Sequence, residues 1–193
     1  MKHLVAAAVL LSVFATTPAF AESPHSIHWK DTTAVRYNPL GLVTAGQIEY
    51  RLRMYDSASQ ILKNYVSLAA TPLLSPAYTR LGVQLEVMPL AILSLSAKYE
   101  YIQYFGTFDF FQSFPDQTSD MSDDTLEANG EADEEYVTSG TQLTLGGLLQ
   151  LKVGPIAIRN RTKVFQNTYD VEDPADTVYY DPFLDLALPT DGW

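Results

Sequence analysis

The chain has 193 residues and a formal net charge of −11, with 12 Lys plus Arg against 23 Asp plus Glu. This acidity disfavours binding to nucleic acid phosphates, and the length fits a single domain. The absence of cysteine excludes disulfides, thiolate metal sites and a lipid-modified amino-terminal cysteine, while 12% aromatic residues indicate a chain that folds.

The amino-terminal segment has the three parts of a secretory signal peptide. Lys2 and His3 give it a basic start, residues 4–15 form an apolar block, and small residues end it at Ala21. We therefore expect residues 1–21 to be a signal peptide that is cleaved after Ala21. No later stretch is apolar over the roughly 18 consecutive residues that a membrane-spanning helix requires.

The next segment, residues 22–40, is predicted to be either a periplasmic extension or a weak first strand, because Lys30 and Asp31 interrupt its middle. His25 and His28 lie in it. We interpret them as part of a mobile, solvated chain end and not as metal ligands, since chain ends are usually loosely held. No metal site and no cofactor are expected.

From residue 41 onward, apolar and polar residues alternate. Between Gln47 and Met54 every second residue is apolar and the residues between them are Gln, Glu or Arg. Only a strand separates these two sets on opposite faces, because residues three and four apart share a face in a helix. The same pattern predicts further strands at Arg80–Val87, Ala91–Tyr101, Thr141–Val153 and Ile156–Gln166. A strand is also predicted at Lys63–Ala70, because the flanking strands need a return path.

Two similar stretches, Glu86–Ile92 and Lys152–Ile158, each contain a proline and are predicted to be tight hairpins. Aligning them letter for letter would turn Arg159 and Arg161 to the apolar face. We therefore predict that the two turns differ by one residue in register, since such a slip exchanges the faces of a strand.

Two long connections, about 105–135 and 170–190, are predicted to be outer loops. The first opens with an aromatic cluster that suits the boundary between membrane and water, and it then becomes strongly acidic without any basic residue. We interpret the acidic part as solvated, since it lacks the spacing of a calcium loop. The aromatic cluster consists of Phe105, Phe108, Phe110, Phe111 and Phe114.

The signal peptide, strands of alternating character, short Pro/Gly turns, aromatic cluster and long acidic loop together resemble the bacterial outer-membrane β-barrels, as a porin-like class and not as one family. The resemblance implies an all-β fold, an antiparallel up-and-down transmembrane β-barrel over residues 41–193. It also implies a place in the Gram-negative cell outer membrane, contact with its lipid and lipopolysaccharide, insertion by the barrel-assembly machinery, and a possible oligomer.

The number of predicted strands is six, or seven with Val178–Leu188, which is below the eight of the smallest single-chain bacterial barrels. We therefore expect the chain to be the N-terminal part of a larger barrel. In the alternative, Ser26–Tyr37 and Val178–Leu188 are both strands and close a barrel of eight.

The polar faces of these strands are predicted to line the lumen, and eight of the eleven charged residues on them are basic. A basic wall favours anionic solutes in a pore. In a small closed barrel the same cations would pair with the three glutamates. The predicted lumen-facing residues are Glu49, Arg51, Arg53, Arg80, Glu86, Lys98, Glu100, Lys152, Arg159, Arg161 and Lys163.

The sequence thus predicts a porin-like channel, or part of one, that favours small anionic solutes. Two alternatives stay open: a small closed barrel with a structural or surface-binding role, and a soluble periplasmic β-sandwich whose apolar stripe packs on a second sheet. An enzyme is not expected, because the predicted strands and outer loops contain no histidine for general acid or base catalysis.

Overall fold

The computed structural model describes residues 10–11, 23–37, 40–56, 63–108, 110–132, 134–181, 184 and 186–193. Over these residues the chain is all-β, with antiparallel sheets and one short helix, α1 (Asp123–Glu131). No helix in the described ranges is long and apolar enough to cross a membrane. The predicted signal peptide lies outside the described residues, apart from Leu10 and Leu11.

Most strands belong to one large sheet in which neighbours along the chain are also neighbours in the sheet. Each pair is antiparallel, so the chain runs up and down, and β5 extends the path of β4 between β3 and β6. The strands of this sheet are β1 (Leu10–Leu11), β2 (His25–Tyr37), β3 (Leu40–Leu52), β4 (Tyr65–Ala70), β5 (Leu73–Leu74), β6 (Tyr78–Leu90), β7 (Leu93–Tyr104), β9 (Ser139–Val153), β10 (Ile156–Tyr169) and β13 (Asp191–Gly192).

The strands predicted from alternation are confirmed, with bounds that differ from the predicted ones by a few residues, except that β3 begins seven residues before the predicted start. The interpretation of His25 and His28 as a mobile chain end is wrong. Both lie in β2, which pairs with β3 over its whole length. His25 is hydrogen-bonded to the hydroxyl of Tyr50 on β3, and His28 to Ser26 at 2.9 Å. The charged side chains of Lys30 and Asp31 do not interrupt the pairing of β2 with β3, because backbone hydrogen bonds form the ladder.

The two proline hairpins turn at different places. Gly154 and Pro155 form the turn between β9 and β10, with Gly154 at φ +58, a conformation that favours glycine. Pro89 instead lies inside β6 at an irregularity after Val87, and the turn follows at residues 91–92. The turns therefore differ by three positions and not by the predicted one. An odd displacement still exchanges the faces, so the arginines of β10 keep to the polar side.

The large sheet exposes its apolar face. Ile48 is 61% exposed, whereas the next residue, Glu49, is 3% exposed on the opposite face. A soluble β-sandwich requires a second layer over the apolar face, and the described residues place none there. Large apolar side chains that are exposed in the same way include Ile27, Trp29, Leu68, Leu81, Val83, Leu85, Leu95, Tyr99, Leu149, Leu151, Ile156, Ile158 and Val164.

A second, smaller sheet packs against one end of the large one. It contains β8 (Ser113–Phe114), β11 (Val178–Asp181) and β12 (Leu186–Pro189), in the order β12-β11-β8. With α1 and residues 110–112 it forms what we call the loop plug. The prediction that 178–188 is a strand of the barrel wall is therefore wrong, because β11 pairs with β8 from the first long loop instead.

The loop plug packs its aromatic rings against the polar face of the large sheet at the end where the long loops leave it. Phe111 stacks on Tyr179 with ring centroids 5.2 Å apart, and it also meets Tyr104 and Tyr169 at 4.9 and 5.1 Å. These rings form the main buried apolar cluster of the described residues, together with Ala77, Tyr78, Ile102 and Leu188.

The aromatic cluster of the first long loop is divided between surface and core. Phe105 and Phe108 are exposed, but Phe111 and Phe114 are buried in the loop plug. The prediction of a membrane-boundary position is therefore wrong for these last two. Composition alone does not distinguish a phenylalanine that meets lipid from one that packs on other rings.

Phe111→Ala tests the contribution of the loop plug to stability. Phe111 is 1% exposed, so we expect its truncation to lower the free energy of unfolding by about 3–5 kcal/mol, as for other buried phenylalanines. Phe108→Ala is the matched control, because Phe108 is 56% exposed and has nearly the same positive φ, 64 against 63. Urea unfolding of the refolded protein in detergent micelles measures both, and equal losses would contradict this packing.

Candidate functional site

A cavity of about 900 Å³ lies on the polar face of the large sheet. Side chains from seven strands line it, including β2 and β10, which stand near the two edges of the sheet. The sheet is therefore strongly curled around the cavity. No hydrogen-bonded ladder between β2 and β10 is present among the described residues.

The cavity lies toward the end of the sheet that carries the tight turns. Ser94 and Arg159, two of its lining residues, follow the turns at residues 91–92 and 154–155 closely. The opposite end is occupied by the rings of the loop plug. The polar interior thus has a wide part at the turn end and a packed part at the loop end.

Two residues apart on β3, Glu49 and Arg51 form an ion pair in the cavity wall. The guanidinium donates from Nε and Nη2 to the two carboxylate oxygens, both at 2.9 Å. Its Cζ also lies 4.4 Å from the centre of the Tyr65 ring. This bidentate, stacked arrangement is one that arginine makes and lysine does not.

Glu86 is the second carboxylate of the cavity, and neutral donors satisfy it. The hydroxyl of Tyr65 donates to it at 3.0 Å, that of Ser94 at 2.6 Å, and the amide of Gln84 at 3.4 Å. Tyr65 therefore connects the Glu49–Arg51 pair to Glu86. Both acids of this wall have close donors.

A third group of charges lies between the cavity and the loop plug. Lys98 and Glu100 form an ion pair at 2.6 Å. Arg80 donates to Gln142 at 3.4 Å and lies 5.4 Å from the ring of Tyr78, and its Nε is buried without a hydrogen-bond partner in the described part of the chain. These residues do not line the cavity.

The β10 wall of the cavity is basic. Arg159, Arg161 and Lys163 alternate along it, and none of them makes an ion pair or a side-chain hydrogen bond with any described residue. Lys30 and His28 of β2 line the same cavity. The three cations of β10, which we call the basic row, are therefore the main group of uncompensated charges in the cavity.

The eleven predicted lumen residues fall into three places. Glu49, Arg51, Glu86 and the basic row line the cavity, while Arg80, Lys98 and Glu100 lie on the same face nearer the loop plug. Arg53 and Lys152 lie at the turn end outside the cavity, where Arg53 pairs with Asp56 at 3.1 Å.

Sequence reasoning missed several residues of the cavity, above all Lys30, His28 and Tyr65. The two β2 residues escape prediction because Lys30 and Asp31 disfavour a strand in that segment, although both His28 and Lys30 have the even-numbered parity of its polar side. Tyr65 lies in β4, whose alternation is poor. Applying the period of two to residues 25–37 would have found the first two.

Two carboxylates of the acidic loop, those of Asp116 and Asp120, accept local hydrogen bonds. Asp116 accepts from the hydroxyl and the amide of Thr118 at 2.6 and 2.7 Å, and these bonds lower the pKa of its carboxyl. The amide of Ser122 donates to Asp120 at 3.0 Å, which with other local donors lowers the pKa of that carboxyl. No group of three or more potential metal ligands occurs in the described residues.

Comparisons of the chain with protein-family models, with curated proteins and with solved structures found no match. The functional argument therefore depends on the exposed apolar face, the charges of the cavity and the loop plug.

Arg51→Gln tests the ion pair of the cavity wall. It leaves the carboxylate of Glu49 buried without its bidentate partner, so we expect a loss of about 3 kcal/mol in the free energy of unfolding. Arg53→Gln, two residues further on, is the matched control, and because its partner Asp56 is exposed we expect a loss below about 1 kcal/mol. Urea unfolding in detergent micelles compares the two variants, and similar losses would mean that the Glu49–Arg51 pair is not a buried one.

Proposed function

We propose that this chain forms a bacterial outer-membrane β-barrel, or a part of one, whose lumen favours small anionic solutes in the manner of a porin-like channel. The observation that carries this proposal is the exposed apolar face opposite a polar, charged interior. Exposed stripes of this size are unfavourable in water and are matched by the hydrocarbon of a membrane.

Strand length and direction support the same proposal. Strands β3 and β6 have 13 residues each, and β9 has 15, against the 9–11 or so that cross a bilayer at a tilt. The turns at 91–92 and 154–155 lie at one end of the sheet, and the long connections after β7 and β10 leave the other, an arrangement that resembles the periplasmic turns and outer loops of barrels of this kind. The proposal includes export through a cleaved signal peptide of residues 1–21, contact with outer-membrane lipid and lipopolysaccharide, insertion by the barrel-assembly machinery and a possible oligomer.

The preference for anions follows from the balance of charge in the cavity. Each lining glutamate has close donors, whereas the basic row has no counter-charge in the described residues. A pore wall with an excess of fixed positive charge attracts anions and repels cations. No catalytic role is proposed for these residues.

The loop plug favours a second candidate, a closed barrel with a structural or surface-binding role. Its rings fill the loop end of the interior, so a solute that enters at the turn end meets Tyr104, Phe111 and Tyr179. Passage through the barrel then requires the plug to move.

Conductance in planar bilayers distinguishes the two candidates. We expect little current from the native protein and stepwise, anion-preferring currents from Phe111→Ala, because that substitution loosens the plug. Phe108→Ala should behave like the native protein, since its ring is exposed. Folding of each sample is checked by heat-dependent gel mobility.

Two results would contradict the proposal of an anion-preferring channel. Cation-preferring currents would contradict the role of the basic row. Silence from a folded Phe111→Ala variant would favour the closed barrel.

A further inference from the structure

The basic row presents like charges close together without compensation. Alternate residues of a strand lie about 6.6–6.8 Å apart, so the three side chains of Arg159, Arg161 and Lys163 form a line of about 13 Å along the cavity. Repulsion among them disfavours the folded state, and a bound anion would offset it. The nearby carboxylates do not serve this purpose, because Glu49 is held by Arg51 and Glu86 by neutral donors.

The residues around the basic row leave space for a ligand. Lys163 is opposite Gly146 in the β9–β10 ladder, and a Cβ on Gly146 would come within 2.6 Å of the hydroxyl of Ser96. Glycine at position 146 therefore leaves the space that the hydroxyl of Ser96 needs in the cavity wall. Ser96 lines the cavity and makes no hydrogen bond with another described side chain, so its hydroxyl is available to a ligand.

Strand β2 contributes Lys30, His28 and the acidic Asp31 to the lining of the same cavity. Lys30 of β2 lines it and makes no ion pair with a described residue, and His28 lies beside it. An anion in this space would therefore meet cations from both β10 and β2. Two guanidinium groups with parallel donors match the oxygens of an oxyanion and offer no such match to a halide.

We propose that the basic row is a binding site for phosphate, either as the free ion or as the phosphate group of a small organic ester. Arg159 and Arg161 bind the phosphate oxygens by paired N–H donors, Lys163 adds a third charge, and Ser96 donates a hydroxyl. The inference rests on the proposed function, because it names the class of anion that the lumen selects.

Titration of inorganic phosphate into the refolded full chain in phosphate-free, lipid-free detergent tests the site. Sodium chloride at matched ionic strength is the reference anion. We expect phosphate to raise the thermal midpoint of unfolding in a saturable way and chloride to have no saturable effect. Calorimetry on the same samples gives the affinity.

The double variant Arg159→Gln/Arg161→Gln should weaken phosphate binding at least tenfold. It should remain folded, because neither side chain contacts another described side chain through a hydrogen bond or ion pair. Arg161→Lys keeps the charge but loses the paired donors, so we expect an intermediate affinity. Lys152→Gln is the control, since it removes one positive charge from the same polar face outside the cavity.

Three results would overturn the inference: equal effects of phosphate and chloride on the native chain, equal weakening by Lys152→Gln and the double variant, or a saturable stabilisation that anionic lipid produces and phosphate does not. The last result would assign the row to lipid headgroups. Failure of the proposed function gives a different result, a protein that is monodisperse in buffer without detergent, and phosphate binding can be measured on that sample too.

Discussion

The alternation of side chains along each long strand, combined with the curl of the sheet, places the apolar face outside and the charges inside. In a water-soluble protein the same alternation would turn the apolar side inward. At roughly 25 cal/mol for each Å² of apolar surface, water is a poor medium for a face that includes Ile48, Leu85 and Ile158, and a hydrocarbon medium removes this cost. The rest of the architecture depends on this arrangement, since a polar interior must then be satisfied from within.

The interior meets that requirement differently at its two ends. At the loop end, the rings of Phe111 and Tyr179 fill the space and the chain builds a small apolar core inside a polar wall. At the turn end, Arg51 and Tyr65 compensate the acids and a cavity remains. The basic row, together with Lys30 of β2, is left without an ion-pair partner in the described residues, so most of the uncompensated positive charge of the cavity lies on β10.

Much of the large sheet could be predicted from sequence because the period of two is local information. The strand 156–166, with its alternating arginines, was found in this way, and so was the polar side that holds Glu49 and Arg51. The loop plug could not be found so, since β11 pairs with β8 from a loop more than sixty residues earlier, Val178 opposite Phe114. Hydrophobic pattern does not encode such a distant pairing. The cavity residues Lys30 and His28 escape prediction for another reason, because charges in the middle of a segment disfavour a strand assignment although the backbone forms the ladder.

The most direct test of the outward apolar face is the environment of Trp29, which is 62% exposed in β2 on that face. The chain has two tryptophans, so Trp193→Phe leaves Trp29 as the only emitter. In vesicles of lipids brominated on their acyl chains, the account predicts blue-shifted emission that the lipids quench strongly and aqueous iodide does not. Red-shifted emission that iodide quenches and brominated lipid leaves unchanged would contradict it.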